Sequence, residues 1–353
     1  MKKWMKKLVV LLCVTVALGA GMLTGCGSKD AKGPGEVNII CWTEYIPQEL
    51  FDNFETETGI KVNVTYYSSM DEMLAKVTSS SKDTFDVIMD GTSYYNAFLE
   101  DGIIEEMDLS KLSNLDNISE EFRVNEYDPE GKYGIPYMGA NAVIAVNTDV
   151  IQDEITGYKD LLNPDYADSI VIIDDARAVV GMASMAAGYD INDMSEEALA
   201  GASEYLDELK PNIHAFNGDS PKTLMINGEC PIGLIYGAEC ALAMDENPAI
   251  VGIYPEEGVY FGFDMLSIAK EGKNKENGYK LIDYILDAEN SALISTIFPY
   301  FNPNTAALDY LDEAYKSNPI KNMPEAERGK IVYLKDIGDD MTKVVDVWNN
   351  LKN

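Results

Sequence analysis

The sequence predicts an α/β protein of two lobes, each a mixed, mainly parallel sheet flanked by helices. Three observations carry this: a length of 353 residues, more than one compact core fills; a regular alternation of short apolar runs with amphipathic ones from Val37 onward; and a Gly/Pro-rich break at 133–139, after which a second series of strand-like runs begins. A composition of 46% hydrophobic and 25% charged residues is that of a folded chain, not a disordered one.

Residues 1–25 start Met1-Lys2-Lys3-Trp4-Met5-Lys6-Lys7 and continue in an apolar stretch from Leu8 to Leu23. That stretch is short for a membrane span and broken by glycines, so it reads as an export signal. It closes on Leu23-Thr24-Gly25-Cys26, which resembles the bacterial lipobox; the resemblance implies cleavage before Cys26 and lipidation of its thiol, an anchor to the outer face of the cell membrane or a place in the periplasm. Residues 26–36, rich in Gly, Ser, Lys and Pro, read as a tether. Fully extended, Gly27 to Glu36 reach roughly 35 Å.

The body then runs Val37–Ile40 as a strand, a helix started at Pro47 and stopped near Gly59, a strand from Ile60 to Tyr66, a helix near Met70–Ser80 and a strand Phe85–Met89. This βαβαβ order implies parallel strands with ligand chemistry beyond their carboxyl ends, which points to Cys41–Tyr45 and Asp90–Tyr94. Strand-like Val143–Val146, Ile170–Ile173, Pro231–Ile235 and Ile250–Tyr254 form the second series, and helical patterns follow at Asn274–Leu286 and Leu308–Tyr315. The expected division is lobe 1 at 37–140 plus 266–305, lobe 2 at 141–265, and C-terminal helices at 306–353 packing mainly on lobe 2.

Net charge is −33, and loss of the four leader lysines makes it more negative still. Such a chain repels nucleic acid and attracts cations. A single histidine, His214, read as structural, and no Gly-x-Ser-x-Gly leave nucleophilic hydrolysis without a base. Glycine-rich dinucleotide and phosphate loops are missing, and only Arg123, Arg177 and Arg328 are present to grip phosphate or sulfate. Cys41, Cys230 and Cys240 show no metal spacing; three buried thiols are the simpler reading, with a Cys230–Cys240 bridge left open. Acids in 190–197 read as helix capping, not a calcium loop. No cofactor and no metal are expected, and the chain is expected to be a monomer.

Trp42-Thr43-Glu44-Tyr45, directly after the first strand, resembles the spermidine/putrescine-binding proteins of ABC transporters. Glu57-Thr58-Gly59-Ile60-Lys61-Val62, Gly134-Ile135-Pro136-Tyr137, Asp174-Asp175-Ala176-Arg177, Ala215-Phe216-Asn217 and Pro303-Asn304 with Ala306-Ala307 extend the resemblance over nearly the whole mature chain. It implies a two-lobed, periplasmic-binding-protein-like fold of type II, a polyamine (putrescine or spermidine) as ligand, a membrane permease as partner, and no enzymatic activity.

A linear polyamine needs carboxylates along an aromatic-walled slot. Trp42 and Tyr45 are expected to form one wall, with Thr43 and Glu44 as acceptors. Asp175 matches a family position for an ammonium group, although Asp174 is the expected cap of the following helix. Asp264, in Tyr260-Phe261-Gly262-Phe263-Asp264, is the strongest candidate, since its charge on an apolar run calls for a cation. Tyr300 matches a wall residue, and Tyr236 stands where the family has tryptophan. Departures occur at Ala178, Gly262 and Leu334, where the family carries an acid, a tryptophan and a glutamine. Gly91 and Ser93 replace a serine and a tyrosine, with Tyr94 one place displaced; Phe263 is the expected substitute wall. The alternatives are a ferric-iron or other solute-binding protein, suggested by Tyr66-Tyr67 and Tyr94-Tyr95, and an exported carboxylate-dependent glycosidase.

Overall fold

The computed structural model describes residues 34–353 apart from 44 and 126, and only the backbone of Asp71, Thr92, Ser93 and Tyr94. The leader, Cys26, the tether before Pro34, Glu44 and the side chains of Ser93 and Tyr94 therefore lie outside the described residues.

Among the described residues the strands are β1 (Glu36–Trp42), β2 (Lys61–Tyr67), β3 (Val87–Gly91), β4 (Ile135–Asn147), β5 (Ile170–Ile172), β6 (Ile213–Phe216), β7 (Ile232–Tyr236), β8 (Ile250–Ile253), β9 (Val259–Ile268) and β10 (Ile331–Tyr333). The opening βαβαβ unit forms because each helix carries its own stop and start. Gln48–Thr58 ends on Gly59 at φ 70, a left-handed conformation that glycine adopts without strain. Met70–Ser79 begins where Ser69 accepts the Glu72 N–H. β1 then lies between β2 and β3, parallel to both.

The second series of strands does not make a separate sheet. Hydrogen bonding runs continuously in the order β2-β1-β3-β9-β4-β7-β5-β6, with β10 on β9 and β8 on β4. β4 is long enough, at 13 residues, to serve both halves: 135–141 pair with β9, while 142–147 pair with β7 and β8. The Gly/Pro-rich break expected there is the first half of this strand. Pro136 is accommodated at a register shift between Pro136 and Met138. Gly139 is needed because a Cβ would sit 2.3 Å from the Phe261 ring.

The expected helix at Leu308–Tyr315 is instead a 3-10 turn, Thr305–Tyr310, and a short helix, Glu313–Ser317. Asp312 divides them by accepting the Tyr315 N–H as a new N-cap. The final helix, Met341–Lys352, buries Val344, Trp348 and Leu351 against the helices Ala176–Ala186 and Glu196–Leu209. Acids at 190–197 serve turns and caps: Asp190 accepts from Asn192 N, Asp193 from Ser195 N, and Ser195 caps the next helix. Cys41, Cys230 and Cys240 are all buried free thiols, so the bridge left open by the sequence is not formed. His214 Nδ1 lies 3.0 Å from Asp168.

Candidate ligand-binding site

β9 alternates its side chains, so Tyr260, Gly262 and Asp264 share one face while Phe261 and Phe263 share the other. The first face borders a cavity of about 310 Å³ that also receives Trp42, Tyr45, Asp175, Tyr236 and Tyr300. Residues distant in sequence thus converge where β1, β3 and β7 end beside the long strands β4 and β9.

One end of the cavity is built around Asp264, which sits opposite Gly91 of β3 and Met138 of β4. Trp42 donates its indole N–H to Oδ1 at 3.1 Å, and the Tyr45 hydroxyl donates to Oδ2 at 2.8 Å. Gly91 keeps the approach open, since a Cβ there would lie 3.4 Å from Oδ1 and 3.1 Å from Met70. Aromatic rings box the carboxylate: Trp42 packs on Tyr67 at 4.5 Å, and Tyr45 meets Tyr300 edge-on at 5.1 Å and Tyr137 at 5.2 Å. Burial pushes the Asp264 carboxyl up to about 6, against the pull of its two hydrogen-bond donors. A carboxylate with two fixed donors, aromatic faces and no cationic partner is suited to an ammonium group.

The other end is built by the helix Ala176–Ala186. Asp175, not Asp174, is its N-cap, accepting from Ala178 N at 2.9 Å, while its second oxygen takes the Tyr236 hydroxyl at 2.7 Å. Asp174 is drawn away to Lys352 at 2.7 Å. Asp175 has the extended backbone (φ −135, ψ 107) usual for an N-cap, which directs its carboxylate at the first turn.

Phe263, the expected substitute wall, and Thr43, an expected acceptor, both border the cavity. The Phe263 ring is 1% exposed and packs with Phe122, Phe301 and Tyr333, so it reaches the cavity from within an aromatic cluster. Thr43 is exposed and directs its hydroxyl to Tyr67 O at 3.2 Å. Lining residues that the sequence did not single out are Met70, Ala140, Arg177 and Tyr260, with Leu334 at the place of the family glutamine. Period-two alternation back from Asp264 would have found Tyr260; Arg177, two residues after Asp175 and one of three arginines, was a visible signal of a different kind.

One member of each tyrosine pair is already committed inside the fold. Tyr67 and Tyr95 are buried, donate to Met89 O and Asp128 respectively, and have their phenols pushed far up by burial.

The family model for bacterial extracellular solute-binding proteins matches residues 49–324. The spermidine/putrescine-binding periplasmic protein of Salmonella typhimurium is 32% identical over 355 aligned residues, covering 100% of this chain and 99% of that one. This chain belongs to that solute-binding family. The putrescine-binding periplasmic protein PotF of Escherichia coli is 26% identical over 100% of the chain and 98% of its own length. Among solved structures, the spermidine/putrescine substrate-binding protein PotD of Streptococcus pneumoniae superposes with a TM-score of 0.80 at 27% identity, over 90% of this chain and 98% of that one. The fold is therefore the two-lobed type II architecture, and the family consists of solute-binding transport components, not enzymes, which removes the glycosidase reading.

Proposed function

We propose that this protein captures a polyamine between its two lobes and delivers it to the membrane permease of an ABC transporter. The observation that carries this is Asp264: a carboxylate deep in the cavity, held by Trp42 and Tyr45, ringed by tyrosines and lacking a cation of its own. The names of its relatives support the same ligand class. Trp42, Tyr45 and Tyr300 pack the methylene stem, Asp264 takes one ammonium, and Asp175 with Tyr236 faces the other end. Thr43 borders the same cavity, and Glu44, Ser93 and Tyr94 are assigned to the ligand on the sequence alone. The test is calorimetric titration with putrescine and spermidine, paired with native mass spectrometry of gently purified protein. Stoichiometric amine binding is the expected result, and a protein that binds neither amine nor a derivative of one would refute the reading.

The lobes we assign to 37–140 plus 266–305 and to 141–265, with 306–353 closing mainly on the second. They shut on the ligand because only the closed state completes the site. Trp42 then reports closure, and the ligand-dependent fluorescence change is expected to vanish in Trp42→Phe. The protein acts as a monomer outside the cell membrane, anchored by lipid on Cys26. No helix among the described residues is long and apolar enough to cross a membrane. Cys26→Ala is expected to release the protein into the medium or periplasm, and equal membrane retention of both forms after washing would refute the anchor.

A further inference from the structure

We propose that Asn192 is a positioning residue for amine binding: its side-chain amide clasps the segment 333–335 to the second lobe and, through that strap, sets how firmly the lobes stay shut, without touching the ligand. The inference rests on the amine-binding and closure reading above and deepens it.

The strap begins as β10, which pairs in parallel with β9 from Ile331 beside Val259 to Tyr333 beside Phe261, and Leu334 N adds a further bond to Phe261 O at 2.9 Å. A side chain supplies a second pair of bonds. Asn192 Nδ2 donates to Tyr333 O at 2.9 Å, and Asn192 Oδ1 accepts from Lys335 N at 2.8 Å. One primary amide thus holds the backbone on both sides of Leu334, as the peptide group of a neighbouring strand would. Leu334 itself borders the cavity.

Asn192 is anchored in its turn. Its Oδ1 also accepts from Arg177 Nη2 at 2.7 Å, Arg177 Nη1 donates to Ile191 O at 2.9 Å, and Asn192 N donates to Asp190 Oδ1 at 2.8 Å. These partners all lie in 141–265. Ties to 37–140 come from Tyr127, whose buried hydroxyl donates to Leu334 O and whose ring meets Tyr333 edge-on at 5.8 Å, and from Arg328, which pairs with Glu121 at 2.7 Å and lies over the Phe122 ring. Each lobe of the proposed division therefore grips the same few residues beside the cavity, and parting the lobes breaks one grip or the other. Loosening the Asn192 grip lowers the closed fraction, and apparent affinity falls by that fraction whichever amine is offered. A residue in contact with ligand would instead change the ranking of the amines.

The experiment is calorimetric titration of the unaltered protein and of Asn192→Ala with putrescine and with spermidine. Affinity is expected to fall about tenfold in the variant, the shift that one or two ordinary hydrogen bonds supply, and by the same factor for every amine that binds. Hydrogen exchange of the unaltered protein, followed by mass spectrometry, is expected to slow over 331–338 when the amine is bound, and this decides even where the variant does not fold. An Asn192→Ala affinity within twofold of the unaltered protein would overturn the inference and leave the amine reading standing. A changed ranking of the two amines would overturn it as well, as would exchange over 331–338 that ignores the ligand. Failure of the unaltered protein to bind either amine would overturn both readings.

Discussion

At the base of β3, Asp86 is fully buried and its carboxylate accepts from the backbone and side-chain amides of both Asn38 and Asn274, at 2.6 to 3.2 Å. At the cleft end of the same strand, Asp90 is equally buried, yet neither of its oxygens has a partner. The register places Asp90 beside Met265 and Ile88 beside Ser267, whose hydroxyl is also unpartnered, while Asp264 stands across from the next residue, Gly91. Burial alone therefore does not distinguish the acids. The base of the strand is a finished anchor, and its upper end carries unmet polar capacity next to the site. Burial drives the Asp90 carboxyl well above the carboxylate range, and the neighbouring Asp264 charge adds to that.

This contrast can be broken most strongly at the base. Asp86→Ala leaves the amides of Asn38 and Asn274 without their acceptor, and a loss of about 3–5 kcal/mol of stability is expected by urea unfolding. Amine affinity of the molecules that remain folded should not change; a large affinity loss would mean that the two ends of β3 are not separate. Next comes Asp264→Asn, which keeps the shape and removes the charge. A loss of about 2 kcal/mol or more is expected, roughly 30-fold in affinity. Calorimetry within threefold of the unaltered protein would remove Asp264 from the site.

The pH dependence sharpens the same point. Ligand-free Asp264 holds its proton below about 6, where the amine must displace it. Affinity should be level above that pH and fall by up to about tenfold per unit below it. A flat profile between pH 5 and 7, or an unchanged slope in Asp264→Asn, would contradict this. The smallest effect is expected at Asp90. Its folded carboxyl is raised above the unfolded value, so its contribution is fully favourable only below about pH 4 and is lost as pH rises. Asp90→Asn should therefore raise stability by about 1 kcal/mol at pH 8 and change little at pH 4. Destabilisation at both pH values would show that Asp90 has a partner in solution.

Much of this arrangement was legible in the residues. Strand ends in an α/β chain point to Trp42 and Tyr45, and a lone acid closing an aromatic run points to Asp264; the structure brings all three into direct hydrogen-bonded contact. What was hidden depends on register and caps. The same alternation that gives Asp264 its hydrogen bonds to Trp42 and Tyr45 packs the Phe263 ring among Phe122, Phe301 and Tyr333. Asp174 and Asp175 are equivalent as composition, and only the hydrogen bonds of the folded chain assign Asp175 to the cap and Asp174 to Lys352. Continuity of the sheet was hidden as well, because Pro136 and Gly139 read as a break until a bulge and a close-packed Phe261 explain them.

The three thiols of the folded body have a use in the laboratory. Burial pushes Cys41 and Cys240 up to about 12 and Cys230 to about 11, so almost none is thiolate at neutral pH. An alkylating reagent can reach them only when the surrounding structure opens. Cys41 belongs to β1 beside the cleft, whereas Cys230 precedes β7 and Cys240 lies in the helix after it. Their separate labelling rates would clock the opening of each half of the molecule, with ligand present or withheld, from cysteines already in the sequence.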